Sequence, residues 1–400
     1  MPSDEMLSEQ PIRVSRRAQE VPWSGIRRMF NLAAKVPDAI SLAVGQPDFD
    51  TPRHIVEAGQ RALDEGYTRY APALGMLELR EAIARKVWRD NKIKADPQTE
   101  IIVTVGAMEG LLLALMAALD PGDEVIIPDP GYTNYEHLIR VATGTPVRVP
   151  AREENEFKLG PDDVEQAITE RTRVLIINSP ANPTGVVMLR SDLEQMAEIA
   201  QRHNLVVISD EAYEKLIYDG LEHVSIASFP GMKERTVSVY TLSKAYAMTG
   251  WRIGFVVGAD HLIDPMHRMQ AGVVSCVAPF IQKAAVTALD GPQDCVDEMA
   301  AQYDARRKFI VEALNEIESI SCLEPKGAFY VFPNISALGR PSEEVAILLL
   351  ETSKVICVPG TAFGPRGEGY LRLCYASPLE NLEEGVRRIK EGVAGLQRWS

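Results

Sequence analysis

Between about residue 100 and residue 260, short apolar runs alternate with helical patterns, and this alternation constrains the fold more than any other feature. The runs are IIVTV, EVIIP, PVRVP, RVLIIN, LVVIS, TVSVY and GFVVG. Between them lie stretches such as RSDLEQMAEIAQRHN, where Leu193, Met196, Ala197 and Ala200 recur at i, i+3, i+4 and i+7, the repeat of one helix face. Strand–helix alternation of this kind calls for an α/β architecture, a largely parallel sheet with helices on both sides. The runs are apolar on both faces, as burial under two helical layers demands. A seven-stranded, mostly parallel sheet is the expectation.

The flanks read differently. Residues 75–92 and 297–318 carry the pattern of long charged amphipathic helices. After Ser319, the runs SISCLEP, AFYVFPN, KVICVPG and YLRLCYA read as four short strands around a helix at SEEVAILLLETS, closed by a helix from Leu379 onward. That is a smaller α+β unit. Four hundred residues exceed one ordinary core. The expected division is an N-terminal arm and part of the small domain over 1–50, a large domain over 51–295, and a C-terminal small domain over 296–400.

Composition narrows the partners. Forty-two Lys and Arg against 56 Asp and Glu give a net charge of −14, which argues against nucleic acid or an anionic membrane. Any bound anion must be held by a local site. Cys276, Cys295, Cys322, Cys357 and Cys374 are odd in number and form no CxxC pair, as expected of free thiols in a reducing compartment. The six histidines show no metal-ligand spacing, so no metal is expected. The opening MPSDEMLSEQ has no apolar leader, and the longest apolar run, Leu111 to Leu119, falls far short of the ~20 residues that span a bilayer. A cytoplasmic location is expected.

Four stretches depart from what packing alone would choose, and each also has an ordinary reading. VTVGAMEGLLLAL is a strand, a turn at Gly106 and a helix, whose first N–H groups suit a phosphate; a plain tight turn gives the same pattern. NSPANPTG makes a sharp turn without explaining Asn182, which is otherwise a turn residue. In LVVISDEAYEKL, Asp210 and Glu211 follow an apolar strand directly, at the edge where open parallel sheets bind ligands. A carboxylate there needs a cationic partner against its desolvation, or else Asp210 caps a helix. TLSKAYAMTGWRIG puts Lys244 and Arg252 at the same edge, where a lysine also reads as one snorkelling out of a core.

Together these stretches describe a site for pyridoxal 5′-phosphate. The aldehyde needs an amine, so Lys244 would form the Schiff base. The pyridine nitrogen must stay protonated to act as an electron sink, which calls for Asp210. The phenolate oxygen needs donors, which Asn182 and Tyr213 can supply. The phosphate suits Arg252, Thr241 and Ser243.

In the order SLAVGQPDF, YAPALGMLELREAIA, NSPANPTG, SDEAY, SKAYAMTGWRIGF, KGAFYVFP, VPGTAFG and YLRLCYA, the chain resembles the class I aminotransferases of pyridoxal-phosphate fold type I over essentially its full length. The resemblance implies that Lys244 carries the cofactor and that Arg372 grips the substrate α-carboxylate. It implies that Tyr132 stacks on the cofactor ring and that Ala107 and Met108, after Gly106, offer N–H groups to the phosphate. Gly45 would lie beside the substrate carboxylate with Asn182. Tyr70 would reach the phosphate of a neighbouring subunit, making the active site a property of a homodimer. The subgroup it is most similar to is the broad-specificity aspartate, aromatic and alanine aminotransferases. Some dicarboxylate-specific members carry a lysine just after two glycines in the phosphate turn, whereas here the turn reads Gly106, Ala107, Met108. An apolar or mixed side-chain pocket is therefore favoured over strict aspartate specificity.

The expected activity is transfer of an amino group from an amino acid to a 2-oxo acid, with 2-oxoglutarate as acceptor and ping-pong kinetics. A β-eliminating C–S lyase is an alternative on the same site, since fold does not fix the reaction. A regulator with a borrowed domain would need a DNA-binding extension, for which the ~40 residues before the first motif are too few. A nicotinamide dehydrogenase would need a glycine fingerprint that the chain lacks.

Overall fold

The first strand, β1 (Ile40–Ser41), stands apart from the main sheet. That sheet holds β2 (Ile101–Thr104), β3 (Glu124–Asp129), β4 (Thr145–Pro150), β5 (Thr172–Asn178), β6 (Val206–Asp210), β7 (Thr236–Thr241) and β8 (Gly254–Val257). Their order is β2-β8-β7-β6-β5-β3-β4. Only β8 is reversed, antiparallel to both β2 and β7, and every other pairing is parallel. The sheet is thus seven-stranded and mostly parallel, as the alternation predicts. This computed structural model describes residues 13–15, 18–19, 21, 25–34 and 36–397. The opening stretch Met1–Gln10, read above as lacking a leader, lies outside the described residues.

Burial explains why the runs are apolar throughout. In β5, Val174 and Ile176 pack on one side with Leu111 and Leu115 of the helix Gly106–Ala118, whereas Leu175 and Ile177 pack on the other with Leu193 and Met196 of the helix Arg190–Arg202. Residues alternating in sequence serve opposite faces, so both must be apolar. The four residues singled out by their spacing in Arg190–Arg202 are all buried. The exception is β4, where only Val149 is buried. It is the edge strand, and its two prolines are tolerated because one side of it needs no partner.

Four more strands follow: β9 (Tyr330–Val331), β10 (Val355–Ile356), β11 (Val358–Pro359) and β12 (Leu371–Cys374). An antiparallel sheet is built as β11-β12-β9, while β10 pairs in parallel with β1, Ile40 opposite Val355. Two sequence expectations need correction. KVICVPG is not one strand but two, parted at Cys357 and joined to different sheets. SISCLEP makes only an isolated bridge, Ser321 to Asn334, because the Asn315 side chain takes both backbone groups of Cys322. The long helices run Leu77–Asn91 and Asp294–Asn315. All five cysteines are free, and among the described residues no helix is long and apolar enough to cross a membrane.

Register places the site. Asn178 lies opposite Asp210, Asp210 opposite Val239, Thr241 opposite Gly254, and Gly254 opposite Thr104. The strand ends that carry Asn178, Asp210 and Thr241, and the turn at Gly106, therefore meet along one edge.

Candidate active site

A cavity of 350 Å³ opens at this edge. Its lining brings together Gly45, Ala107, Met108, Tyr132, Asn182, Asp210, Tyr213, Thr241, Ser243, Lys244, Arg252 and Arg372. Residues drawn from seven separate stretches of the sequence would not converge through packing preference alone. One residue of the expected set does not join them: Tyr70 is 91% exposed and lies outside this chain's cavity.

Lys244 sits on the short helix Leu242–Ala245, which begins directly after β7. Thr241 caps that helix, its Oγ1 accepting from Ser243 N at 3.2 Å. The Lys244 ammonium donates to the Gly45 carbonyl at 2.6 Å and lies 5.6 Å from the Tyr213 ring centroid. Burial brings its pKa down to about 8; Arg372 and Arg252 add to the effect, and Cys374 and Asp210 oppose it. This lysine points inward at the cavity rather than out to solvent, and with its pKa lowered to about 8 a substantial share of it is neutral near pH 8.

Asp210 ends β6 and is buried. Tyr135 donates to its Oδ2 at 2.7 Å and the Ala212 N–H to its Oδ1 at 3.3 Å. Burial pushes its carboxyl up to about 6, against the opposing effect of both hydrogen bonds. It caps no helix. A buried carboxyl served only by neutral donors is suited to a cation in front of it.

At the far end, Gly106 has φ +71 and begins the helix Gly106–Ala118. A Cβ there would come within 2.7 Å of Arg252 Nη2. Glycine is needed both for the turn and for the arginine's approach. The first-turn N–H groups of the helix, Arg252, and the hydroxyls of Thr241 and Ser243, 2.9 Å apart, form an anion cradle.

Arg372, on β12, comes in from the opposite side and is buried. Its Nη1 donates to Asn182 Oδ1 at 3.1 Å and its Nη2 to the Ala43 carbonyl. The guanidinium lies 4.5 Å from the Tyr330 ring centroid and 4.9 Å from that of Phe363. Its Nε is buried without a hydrogen-bond partner. An unmet donor beside this cavity suits a carboxylate.

Three residues were missed by sequence reasoning. Tyr330 lines the cavity and its hydroxyl lies 2.8 Å from that of Tyr213, so Tyr213 is engaged with a second tyrosine. A Cβ at Gly45 would collide with the same hydroxyl. Asn178 accepts from Asn182 N at 2.9 Å and donates to the Asp210 carbonyl at 3.1 Å, holding the NSPANPTG turn to the neighbouring strand. Tyr135, in the first turn of the helix Asn134–Val141, follows Tyr132 by three residues and meets its ring edge-on at 5.4 Å. That spacing was the one available signal.

The family model for class I and II aminotransferases matches residues 37–389. The chain belongs to this family. An aspartate aminotransferase of Pyrococcus abyssi is 48% identical over 380 residues, covering 94% of this chain and 97% of the relative. The aromatic-amino-acid aminotransferase 2 of Thermococcus litoralis is 45% identical, with the same coverage of 94% and 97%. Among solved structures, the aromatic aminotransferase from Pyrococcus horikoshii superposes with a TM-score of 0.89 at 46% identity, covering 93% of this chain and 99% of that one. These likenesses support amino-acid transamination and lend nothing to the β-eliminating alternative. Class I and II aminotransferases use pyridoxal phosphate, and the residues fit it: an amine with a lowered pKa, a buried carboxyl, an anion cradle at a helix start, and a guanidinium with a free donor.

Proposed function

We propose that this aminotransferase holds pyridoxal 5′-phosphate on Lys244 and moves the amino group of an L-amino acid to a 2-oxo acid, 2-oxoglutarate in the second half of the cycle. The observation that carries the reading is the convergence of Lys244, Asp210 and Arg372 on one 350 Å³ cavity from three different elements. When bound, the cofactor supplies the electron sink that stabilises negative charge at the substrate Cα. The chain's own groups do the rest. Asp210 would keep the ring nitrogen protonated. Tyr213 and Asn182 would hold the phenolate oxygen, Tyr132 would cover the ring, and Arg252, Thr241, Ser243 and the N–H groups of Gly106, Ala107 and Met108 would hold the phosphate. Arg372, braced by Asn182, pairs with the substrate carboxylate beside Gly45. Lys244, whose amine lies at the cavity, would serve as the general base and acid for the proton at the substrate Cα.

The side-chain range is proposed as broad, aspartate and aromatic donors included. Met108 and Leu111 give the cavity an apolar wall, and relatives of similar identity are named for both kinds of substrate. Twenty amino acids offered singly to the loaded enzyme should bleach the cofactor's visible band with aspartate and with at least one aromatic donor, each yielding its oxo acid. Release of pyruvate, ammonia and thiol from a cysteine conjugate, without any oxo acid from the others, would overturn transfer.

The enzyme is further proposed to act in the cytoplasm as a homodimer with shared sites. Tyr70, exposed as it is, is available to a partner's phosphate cradle. Mixing an inactive Lys244→Ala chain with an inactive Tyr70→Phe chain should regenerate one intact site per heterodimer and restore activity. No recovery after confirmed subunit exchange counts against the shared site. The domain division is proposed at residues 50 and 295; Leu42 and Ala43 sharing a core with residues from 299 onward supports assigning the first segment in part to the small domain.

A further inference from the structure

Directly behind Asp210, on the side away from the cavity, lies a buried charged cluster that the mechanism does not use. Glu211 is 2% exposed and accepts from four donors: Ser225 Oγ at 2.6 Å, His223 Nε2 at 2.8 Å, Ser209 Oγ at 2.9 Å and Asn91 Nδ2 at 3.1 Å. Asn91 also donates to Glu214 at 2.7 Å, and the buried Lys86 ammonium bonds both Glu214 and Asn91. Lys86 lies 4.7 Å from the ring centroid of Tyr240, a buried residue of β7. Asp90 and Lys215 pair at 2.7 Å further out. On its cavity side Asp210 meets Tyr135, with Lys244 more distant.

Glu211, Glu214 and His223 present ligand atoms within 4.8 Å of one another, an arrangement that could hold a metal ion. Lys86 already stands against Glu214, so an ammonium takes the cation's place. His223 Nε2 bonds Glu211, while its Nδ1 is buried without a hydrogen-bond partner. Glu211 is thereby a buried carboxylate fixed by four hydrogen bonds on the residue next to Asp210.

We infer that Glu211, set against Lys86, is a positioning residue that tunes proton affinity at the cofactor's ring end through Asp210. The inference rests on the reading of Asp210 given above. A fixed negative charge in low dielectric strengthens proton binding nearby, and a cation behind it weakens the effect. Glu211 adds to the burial that raises the Asp210 carboxyl. Burial also acts to raise Glu211 itself, but His223, Ser225 and Ser209 outweigh it and hold its carboxyl below the usual range, so the charge stays in place.

The test is the pH titration of the visible band of the enzyme loaded with pyridoxal phosphate, which reports the proton on the Lys244 nitrogen. In Glu211→Gln the midpoint should fall by about half a pH unit or more, and in Lys86→Gln it should rise by a similar amount. Opposite signs are what a charge effect requires and a packing defect does not. Shifts of the same sign, no shift in either variant, or failure of both variants to take up cofactor would overturn the inference; if only one variant loads, the sign of its shift decides. Asp210→Asn is the control for the underlying reading. If it shifts the midpoint while Glu211→Gln and Lys86→Gln do not, only the present inference fails. If Asp210→Asn leaves the titration unchanged, the placing of Asp210 at the ring fails first.

Discussion

Lys244→Ala is expected to abolish nearly all turnover while leaving a folded chain that still binds pyridoxal phosphate without a borohydride-reducible bond. General acid–base catalysis by one positioned group is worth about 10²–10⁴-fold, and this variant loses the covalent anchor as well. The fold should tolerate it, because the side chain spends its one hydrogen bond on the Gly45 carbonyl and supports no other element. Wild-type apoenzyme provides the contrast. Capture of the aldehyde needs the neutral amine, and Lys244 has its pKa lowered to about 8, chiefly by burial. The capture rate should rise about tenfold per pH unit up to about 8 and then level off. An ordinary lysine would keep rising to about 10.4. Mass spectrometry that places the reduced adduct on another lysine would end the assignment, as would a capture rate still climbing at pH 9.5.

Arg372→Ala is expected to lower kcat/KM for α-amino acids by roughly 30- to 3000-fold, from the ~2–5 kcal/mol typical of removing one side of a buried charge pair. The guanidinium is held in advance: Asn182 and the Ala43 carbonyl fix two of its nitrogens, and Tyr330 and Phe363 fix its plane. Lysine cannot reproduce a planar fork in that slot, so Arg372→Lys should recover little. A simple amine without a carboxylate should be nearly indifferent to the change, and the visible spectrum of the loaded enzyme should stay as it is. Equal losses with amino acids and simple amines would mean that Arg372 serves packing alone.

Much of this site was legible because strand ends are legible. Asp210 follows its apolar run directly and Lys244 lies four residues past the end of its own, and in an open parallel sheet that position is the ligand edge. Gly106 and Arg252 could be placed by the same argument, although nothing local indicated that the glycine makes room for the arginine. Tyr330 and Asn178 were hidden for a different reason. Tyr330 sits in a two-residue strand that meets the cavity only through pairing with β12, and Asn178 matters because register sets it opposite Asp210. Such roles belong to tertiary pairing, which leaves no trace in local spacing. The same holds for Glu211, which reads in sequence as a second carboxylate at the edge and turns out to face away from the cavity. The short pieces misread around residues 319–323 and 354–360 lack the length that gives a period its force.

The pairing of β1 with β10 has a consequence for how the protein is made. Chains emerge from the ribosome N-terminus first, and domains fold as units as they appear. All seven strands of the main sheet, with Lys244, Asp210 and Arg252, have been synthesised once residue 257 is out. Ile40 must wait for Val355, and Arg372 comes later still. The Gly45 carbonyl that holds Lys244 belongs to that waiting segment. The strands that lead to Asp210, Lys244 and Arg252 are therefore made before the strand that carries Arg372, so the two sides of the cavity are synthesised at different times and close on each other last.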